Sequence, residues 1–96
     1  MYQNNYTNIP EQYLELLRNG PNENTVIRGQ GRSASCLAIF LEPNVEIGTN
    51  IDGPRTIWVF DNGELVVPPT EITQDFGYKW INAFNKVYKA YNFQAE

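Results

Sequence analysis

The segment RTIWVF-DNG-ELVV, residues 55–67, constrains the chain more than any other stretch. Two runs rich in β-branched and aromatic residues flank Asp61-Asn62-Gly63, and asparagine and glycine tolerate the positive φ that a two-residue hairpin turn requires. The spacing predicts strands at 55–60 and 64–67, and with them an antiparallel sheet. A second run, ASCLAIFL at 34–41, is apolar almost throughout and stops at Glu42-Pro43. Its length suits a strand buried on both faces better than a helix, which usually needs about 10–12 residues. As a strand it puts Ala34, Cys36, Ala38 and Phe40 on one face and Ser35, Leu37, Ile39 and Leu41 on the other, because successive side chains alternate. TVIR (25–28) reads as a strand, and VEI (45–47) as a short one before the loop GTNIDGP. Pro68-Pro69 is expected to close the sheet.

Helical periodicity frames these strands. Ile9, Tyr13, Leu16 and Leu17 recur at helix spacing, with Asn8 as the expected N-cap, Glu11 three residues on, and Pro10 tolerated in the first turn. The helix is expected to run to about Arg18, ended by Gly20 and Pro21. After the sheet, QDFGYKWINAFNKVYKAYNF predicts the longest helix, capped by Thr70 or Thr73. Phe76, Trp80, Ala83, Phe84, Val87 and Tyr91 form its apolar face, flanked by Ile81 and Tyr88; Lys79, Asn82, Lys86 and Lys89 line the opposite side. The order gives an α+β fold: an N-terminal helix, a four- to five-stranded, mostly antiparallel sheet, and a C-terminal amphipathic helix packed on one sheet face.

With 96 residues, the whole chain is expected to form a single domain with residues 1–7 frayed, since a split would leave neither half a core. No apolar run approaches the roughly eighteen residues that cross a bilayer. The opening MYQNNYTN lacks the basic start and apolar segment of a secretory signal, and Cys36 is the only cysteine, so the expected location is the cytoplasm. Histidine, the commonest general base and metal ligand, is absent. Cys36 lies in an apolar run with nothing to activate it and is expected in the core. Asp52, Asp61, Glu71 and Asp75 sit where turns and helix starts favour acidic side chains. The inventory predicts a protein with no catalytic residues, metal site or cofactor.

VIRGQGRSASC (26–36) contains Gly29-Gln30-Gly31-Arg32-Ser33-Ala34, a G-x-G-x-x-A pattern. The first reading is a hairpin bend. The second is a recognition loop in which Arg28, Gln30 and Arg32 project around flexible glycines, because guanidinium groups grip carboxylate or phosphate in bidentate fashion. The third is a dinucleotide cradle, with residues 32–41 as the helix that receives the pyrophosphate and Asp61 ending the next strand. That helix would be barely long enough, apolar all round and followed by Pro43, and Asp61 serves a hairpin turn better.

RGQGR is similar, apart from Gln30, to the RGSGR peptide of heterocyst-pattern inhibitors. IPEQYLELLRNG resembles the opening helix of SUKH-type immunity proteins, and IWVFDNGELV with DFGYKWINAF resembles their later strand and helix. This chain is shorter than that family and the intervening segments do not match, so the likeness carries no site residue across.

The net charge of −4 is unevenly spread. Residues 1–75 hold four arginines against ten acids, whereas residues 76–95 hold Lys79, Lys86 and Lys89 and no acid. Lysines beside aromatics can contact phosphates, but an acidic chain lacks the basic footprint of a nucleic-acid binder, and lysines commonly provide the solvated back of a helix. The expected function is a small, non-catalytic protein-binding module that inhibits or adapts a larger partner, of the kind phage and mobile elements carry, with Arg28, Gln30 and Arg32 as anchors. The alternative is a binder of nucleotide or nucleic-acid phosphate, joining the loop of Gly29 and Gly31 with Lys79, Lys86 and Lys89. A further alternative is a self-assembling subunit that pairs through an open edge such as ELVV or TVIR.

Overall fold

In a computed structural model of the chain, the described residues are 9–23, 25, 28–29, 36–41, 43–50, 55–73 and 76–87. They form α1 (Glu11–Asn19), β1 (Arg28–Gly29), β2 (Cys36–Leu41), β3 (Val45–Asn50), β4 (Thr56–Asp61), β5 (Glu64–Glu71) and α2 (Tyr78–Val87). The strands make one sheet in sequence order, with every neighbouring pair antiparallel. This is the α+β arrangement expected from the periodicities, with the N-terminal and C-terminal helices on one sheet face.

The hairpin forms as its turn chemistry requires. Asn62 and Gly63 have φ of 55° and 86°, the two positive values of a type I′ turn, and Asp61 pairs with Glu64 across it. The Asn62 N–H also donates to the Asn44 carbonyl at 2.9 Å, tying this turn to the one between β2 and β3. Strand alternation then sorts the side chains. Ile39, Ile47, Val59 and Val67 are register partners in a single row across β2 to β5, and all four are fully buried. Leu14 and Leu17 of α1, Trp80, Ile81 and Phe84 of α2, and Phe76 just before α2 complete the same core cluster.

The helices are also joined by hydrogen bonds. The last four carbonyls of an α-helix have no intrahelical donor. Here the Gly77 N–H, just before α2, donates to the Leu17 carbonyl at 3.1 Å, and the Leu16 carbonyl, which the Gly20 N–H already meets at 3.2 Å, accepts the Trp80 indole N–H as a second donor at 2.8 Å. Trp80 is fully buried, so it adds a large apolar surface to the core while its single polar atom is satisfied.

Several boundaries differ from those the sequence predicts. The N-cap of α1 is Pro10, whose carbonyl accepts from the N–H groups of Tyr13 and Leu14 at 3.0 and 3.1 Å, and no side chain caps this end. Proline already holds the φ near −65° that leads into a helix, so the expected capping box is not used; Asn8 lies outside the described residues. Neither threonine caps α2. Thr70 belongs to β5, Thr73 exchanges backbone hydrogen bonds with Phe76, and the Gly77 carbonyl accepts the first bonds from Trp80 and Ile81. Residues 88–93 of the expected helix, with Tyr88, Lys89 and Tyr91, lie outside the described residues.

Pro68-Pro69 does not close the sheet either. β5 continues through both prolines as the edge strand, where a missing N–H need not interrupt a ladder. The register shifts between Ile57 and Val59 and again between Val59 and Phe60 absorb the irregularity, and the Thr70 hydroxyl donates to the Pro68 carbonyl at 2.7 Å. Gly48, Thr49 and Asn50, expected in a loop, extend β3. Side chains secure that extension: buried Thr49 donates through its hydroxyl to the Thr56 carbonyl at 2.7 Å, and the Asn50 Oδ1 accepts from the Thr56 N–H and hydroxyl at 2.9 and 3.0 Å. Of the expected strand TVIR, Arg28 lies in β1, and residues 26 and 27 are outside the described set.

Trp80→Ala is expected to lower the free energy of unfolding by roughly 3–5 kcal/mol, the cost of deleting a large buried aromatic. Trp80→Phe, which keeps an aromatic ring and removes only the indole donor to a Leu16 carbonyl that the Gly20 N–H still meets at 3.2 Å, should lose less. Equilibrium urea unfolding distinguishes them, and a loss below about 1 kcal/mol for the alanine variant would show that the helices are held by other contacts.

Candidate functional site: an aromatic groove on the open sheet face

The residues that alternate with the core row make a second row. Phe40 pairs with Glu46, Glu46 with Phe60, and Phe60 with Leu65, while Ala38, Gly48 and Trp58 are register partners in the next row. These positions face away from the helices, and among the described residues neither α1 nor α2 packs over them. Phe40, Trp58 and Phe60 are half-buried and Leu65 is 46% exposed. With strands spaced by about 4.8 Å, the four-strand row is about 14 Å across. Gly48 explains how Trp58 is seated: a Cβ there would collide with the indole, so only glycine lets Trp58 lie across β3.

Two hollows share Phe60. The first, about 250 Å³, is walled by Trp58, Phe60, Leu65 and Pro69 and is apolar throughout. The second, about 280 Å³, is lined by Phe40, Leu41, Val45, Glu46 and Phe60, with Pro43, Asn44, Asn62 and Gly63 at the turn end. Glu46 is only 7% exposed, in a row where both register neighbours are phenylalanines. It also has an interaction of its own within the fold.

The hairpin beside this second hollow is braced from the helix side. The Tyr13 hydroxyl of α1 donates to the Asp61 carboxylate at 2.7 Å, where β4 enters the turn. That bond raises the Tyr13 pKa above its ordinary value, chiefly because ionisation would remove the donor facing Asp61; burial and the charges of Asp61 and Glu64 push the same way.

The glycine loop is only partly in view. Arg28 pairs with Phe40 and Gly29 with Ile39, so the first glycine of the pattern belongs to a ladder and the chain returns as antiparallel β2. Residues 36–41, which a dinucleotide site would need as helix, are strand. Gln30, Gly31 and Arg32 lie outside the described residues. By register Arg28 stands at the β1 end of the Phe40–Glu46–Phe60 row, a placement the loop reading did not foresee. Lys79 and Lys86 are exposed on α2, in the layer opposite the groove, and Lys89 is not described. Arg28 and the two described lysines therefore belong to different layers.

Cys36 is half-buried at the start of β2, not in the core cluster. Asp61 and Glu71 stand at opposite ends of the β4–β5 ladder, and Asp52 and Asp75 lie outside the described residues. Among the described residues, no three His, Cys, Asp or Glu side chains converge, and no helix is long and apolar enough to cross a membrane.

The sequence signal for the groove is the parity of IWVF, which sets Trp58 and Phe60 opposite Ile57 and Val59. Parity alone does not say which face the helices cover, because both are apolar. No family model matches the chain, and no curated protein or solved structure matches it either.

The Tyr13–Asp61 bond generates a pH dependence. Because the folded state holds the phenolic proton more tightly, its stabilisation is complete below the ordinary tyrosine pKa of about 10 and is lost as pH rises through the higher folded value. Tyr13→Phe should therefore be less stable at neutral pH yet lose less stability than the parent in the alkaline range. Unfolding curves of both proteins across that range test this, and parallel losses would remove the bond from the account.

Proposed function

We propose that this chain is a non-catalytic protein-binding module that inhibits or adapts a larger protein partner, and that it docks through the open sheet face. The observation that carries this reading is the contiguous groove of Phe40, Trp58, Phe60, Leu65 and Pro69, which no described helix covers. A contiguous exposed apolar surface rimmed by polar residues marks an interaction site. Aromatic anchors dominate the energetics of such sites, and a platform held by a hydrogen-bonded sheet loses little conformational freedom on binding. Arg28, at the end of the same row by register, joins the proposed face; Gln30 and Arg32 follow it in the chain. A lone cysteine suits a reducing compartment such as the cytoplasm, where a phage- or mobile-element-borne inhibitor would act.

Phosphate binding has less support. Lys79 and Lys86 belong to the helix layer, away from Arg28, and the net charge of −4 opposes polyanions. Pairing through the β5 edge is hindered by Pro68, Pro69 and the register shifts, all features that blunt an edge strand.

The test is native mass spectrometry of the protein gently purified from its own cells, compared with a Phe60→Ser, Leu65→Ser double variant of unchanged circular dichroism. A stoichiometric protein partner is expected with the parent and should be lost with the variant, because removing an interface anchor costs about 2 kcal/mol or more. A bound nucleotide or oligonucleotide, or a partner retained by the variant, would overturn the reading.

A further inference from the structure

We infer that Asn62 is a site of spontaneous covalent modification: its side chain closes onto the Gly63 nitrogen, releases ammonia and rebuilds the turn between β4 and β5. The inference goes beyond the proposed docking role and holds whether or not the groove receives a partner.

The sequence holds two Asn-Gly pairs, Asn19-Gly20 and Asn62-Gly63. In each, glycine has no side chain to shield its nitrogen from the asparagine amide. The fold treats the pairs differently. Asn19 closes α1, and the Gly20 N–H after it donates to the Leu16 carbonyl at 3.2 Å. Gly20 also sits so close to α2 that a Cβ there would collide with the Lys79 side chain. The peptide joining Asn19 to Gly20 is thereby fixed. Asn62 and Gly63 are both exposed, and a Cβ on Gly63 would meet nothing within 4 Å. Among the described residues, neither the Asn62 side-chain amide nor the Gly63 N–H has a hydrogen-bond partner. The turn is held by the Asn62 N–H on the Asn44 carbonyl and by the Asp61–Glu64 pairing, and neither engages the peptide between Asn62 and Gly63.

Turn geometry supplies the trajectory. A type I′ turn has ψ of about +30° at its first central residue, which sets the next nitrogen on the far side from Cβ; a type II′ turn has about −120°. At that second value an L-residue aligns its Cβ with the next nitrogen, as closure of a five-membered ring requires. The two turns differ by a flip of the central peptide, and both serve a two-residue hairpin. Asn62 therefore reaches the reactive geometry without unpairing the strands. The flip carries the Gly63 φ from 86° to about −80°, both open to glycine. Type II′ prefers glycine where Asn62 stands, so the flipped turn is a minor state and the reaction is slow.

In that state the Gly63 nitrogen gives its proton to hydroxide and attacks the Asn62 Cγ. The bond from Cγ to the side-chain nitrogen breaks, and that nitrogen leaves as ammonia with a proton from water, which restores the hydroxide. A succinimide ring remains. One water then adds to either ring carbonyl and breaks its bond to the Gly63 nitrogen. Opening at Cγ leaves an aspartyl residue; opening at the main-chain carbonyl leaves an isoaspartyl residue, with the chain routed through Cβ and Cγ. One water is consumed, one ammonia is released, and nothing is oxidised or reduced. Either product puts a new carboxylate between Asp61 and Glu64. The isoaspartyl form also adds a backbone atom to a loop whose length fixes the strand register. Asn62 and Gly63 line the turn end of the hollow beside Phe60, so the change reaches the groove.

The test incubates folded protein in warm, mildly alkaline water carrying heavy oxygen, then digests it in ordinary water for mass spectrometry. The Asn62 peptide is expected to gain a labelled carboxylate, in separable aspartyl and isoaspartyl forms, faster as pH rises because the attacking nitrogen must lose its proton. Asn19 should convert about tenfold more slowly or less, the order of penalty for breaking the Gly20 hydrogen bond. In urea, where that protection is gone, the two pairs should convert within about twofold of each other. The isolated isoaspartyl form should show faster amide exchange across β4 and β5, with the Trp80 indole signal, which reports the bond to Leu16, unmoved. Conversion of Asn62 only in urea, equal rates at Asn19 and Asn62 in the folded protein, or unchanged exchange in the isoaspartyl form would overturn the inference.

Discussion

The structure depends on the way α1 is tied to the start of α2. Two backbone carbonyls near the end of α1, those of Leu16 and Leu17, accept from the Trp80 indole and the Gly77 N–H. Because those donors belong to a segment roughly sixty residues away in the chain, the bonds exist only when the intervening sheet has brought the two ends together. They make two short helices, neither long enough to be stable alone in water, into one layer. That layer covers one face of the sheet, and among the described residues nothing covers the other.

The sheet has two faces of different kinds, although the residues of both look alike in composition. On the core side, the row Ile39–Ile47–Val59–Val67 is aliphatic and fully buried, a set that packs well against helices. On the other side, the row Phe40–Glu46–Phe60–Leu65 mixes rings with a carboxylate, and Gly48 yields its side-chain space to Trp58. A helix packed over that second row would close the last water path to Glu46, whose charge would then need complete satisfaction inside the protein. The position of one carboxylate thus fits which face is covered and which is left open.

How much of this was legible can be traced residue by residue. The hairpin was, because Asn62-Gly63 is the local chemistry of a type I′ turn and needs no tertiary help. The strand at 36–41 and its two-face alternation were legible from length and parity. The starts of both helices were not, since backbone groups of Pro10 and Gly77 do the work that side-chain caps were expected to do, and backbone geometry leaves little trace in residue type. The extension of β3 through Asn50 was hidden for a different reason: its hydrogen bonds to Thr56 are made across a gap in sequence that only the finished ladder closes. The passage of β5 through two prolines depends on being an edge, a property of the whole sheet. The groove was hidden in plain view. Trp58 and Phe60 were visible as a pair on one face, but a pair of aromatics is read as core until the helices are known to lie on the other side.

The placement of charge gives the groove its sense. Lys79 and Lys86 lie on the helix layer, whereas the open sheet face carries Glu46 between two phenylalanines and Glu71 at the level of Thr56. Glu46 is nearly buried between two phenylalanines and already has an interaction of its own within the fold, so it belongs to the structure of the sheet as much as to its surface. It also sets a polar group beside the apolar hollow of Trp58, Phe60, Leu65 and Pro69. A surface meant to discriminate among partners needs both, since specificity requires a feature that rejects the wrong ones as well as one that holds the right one.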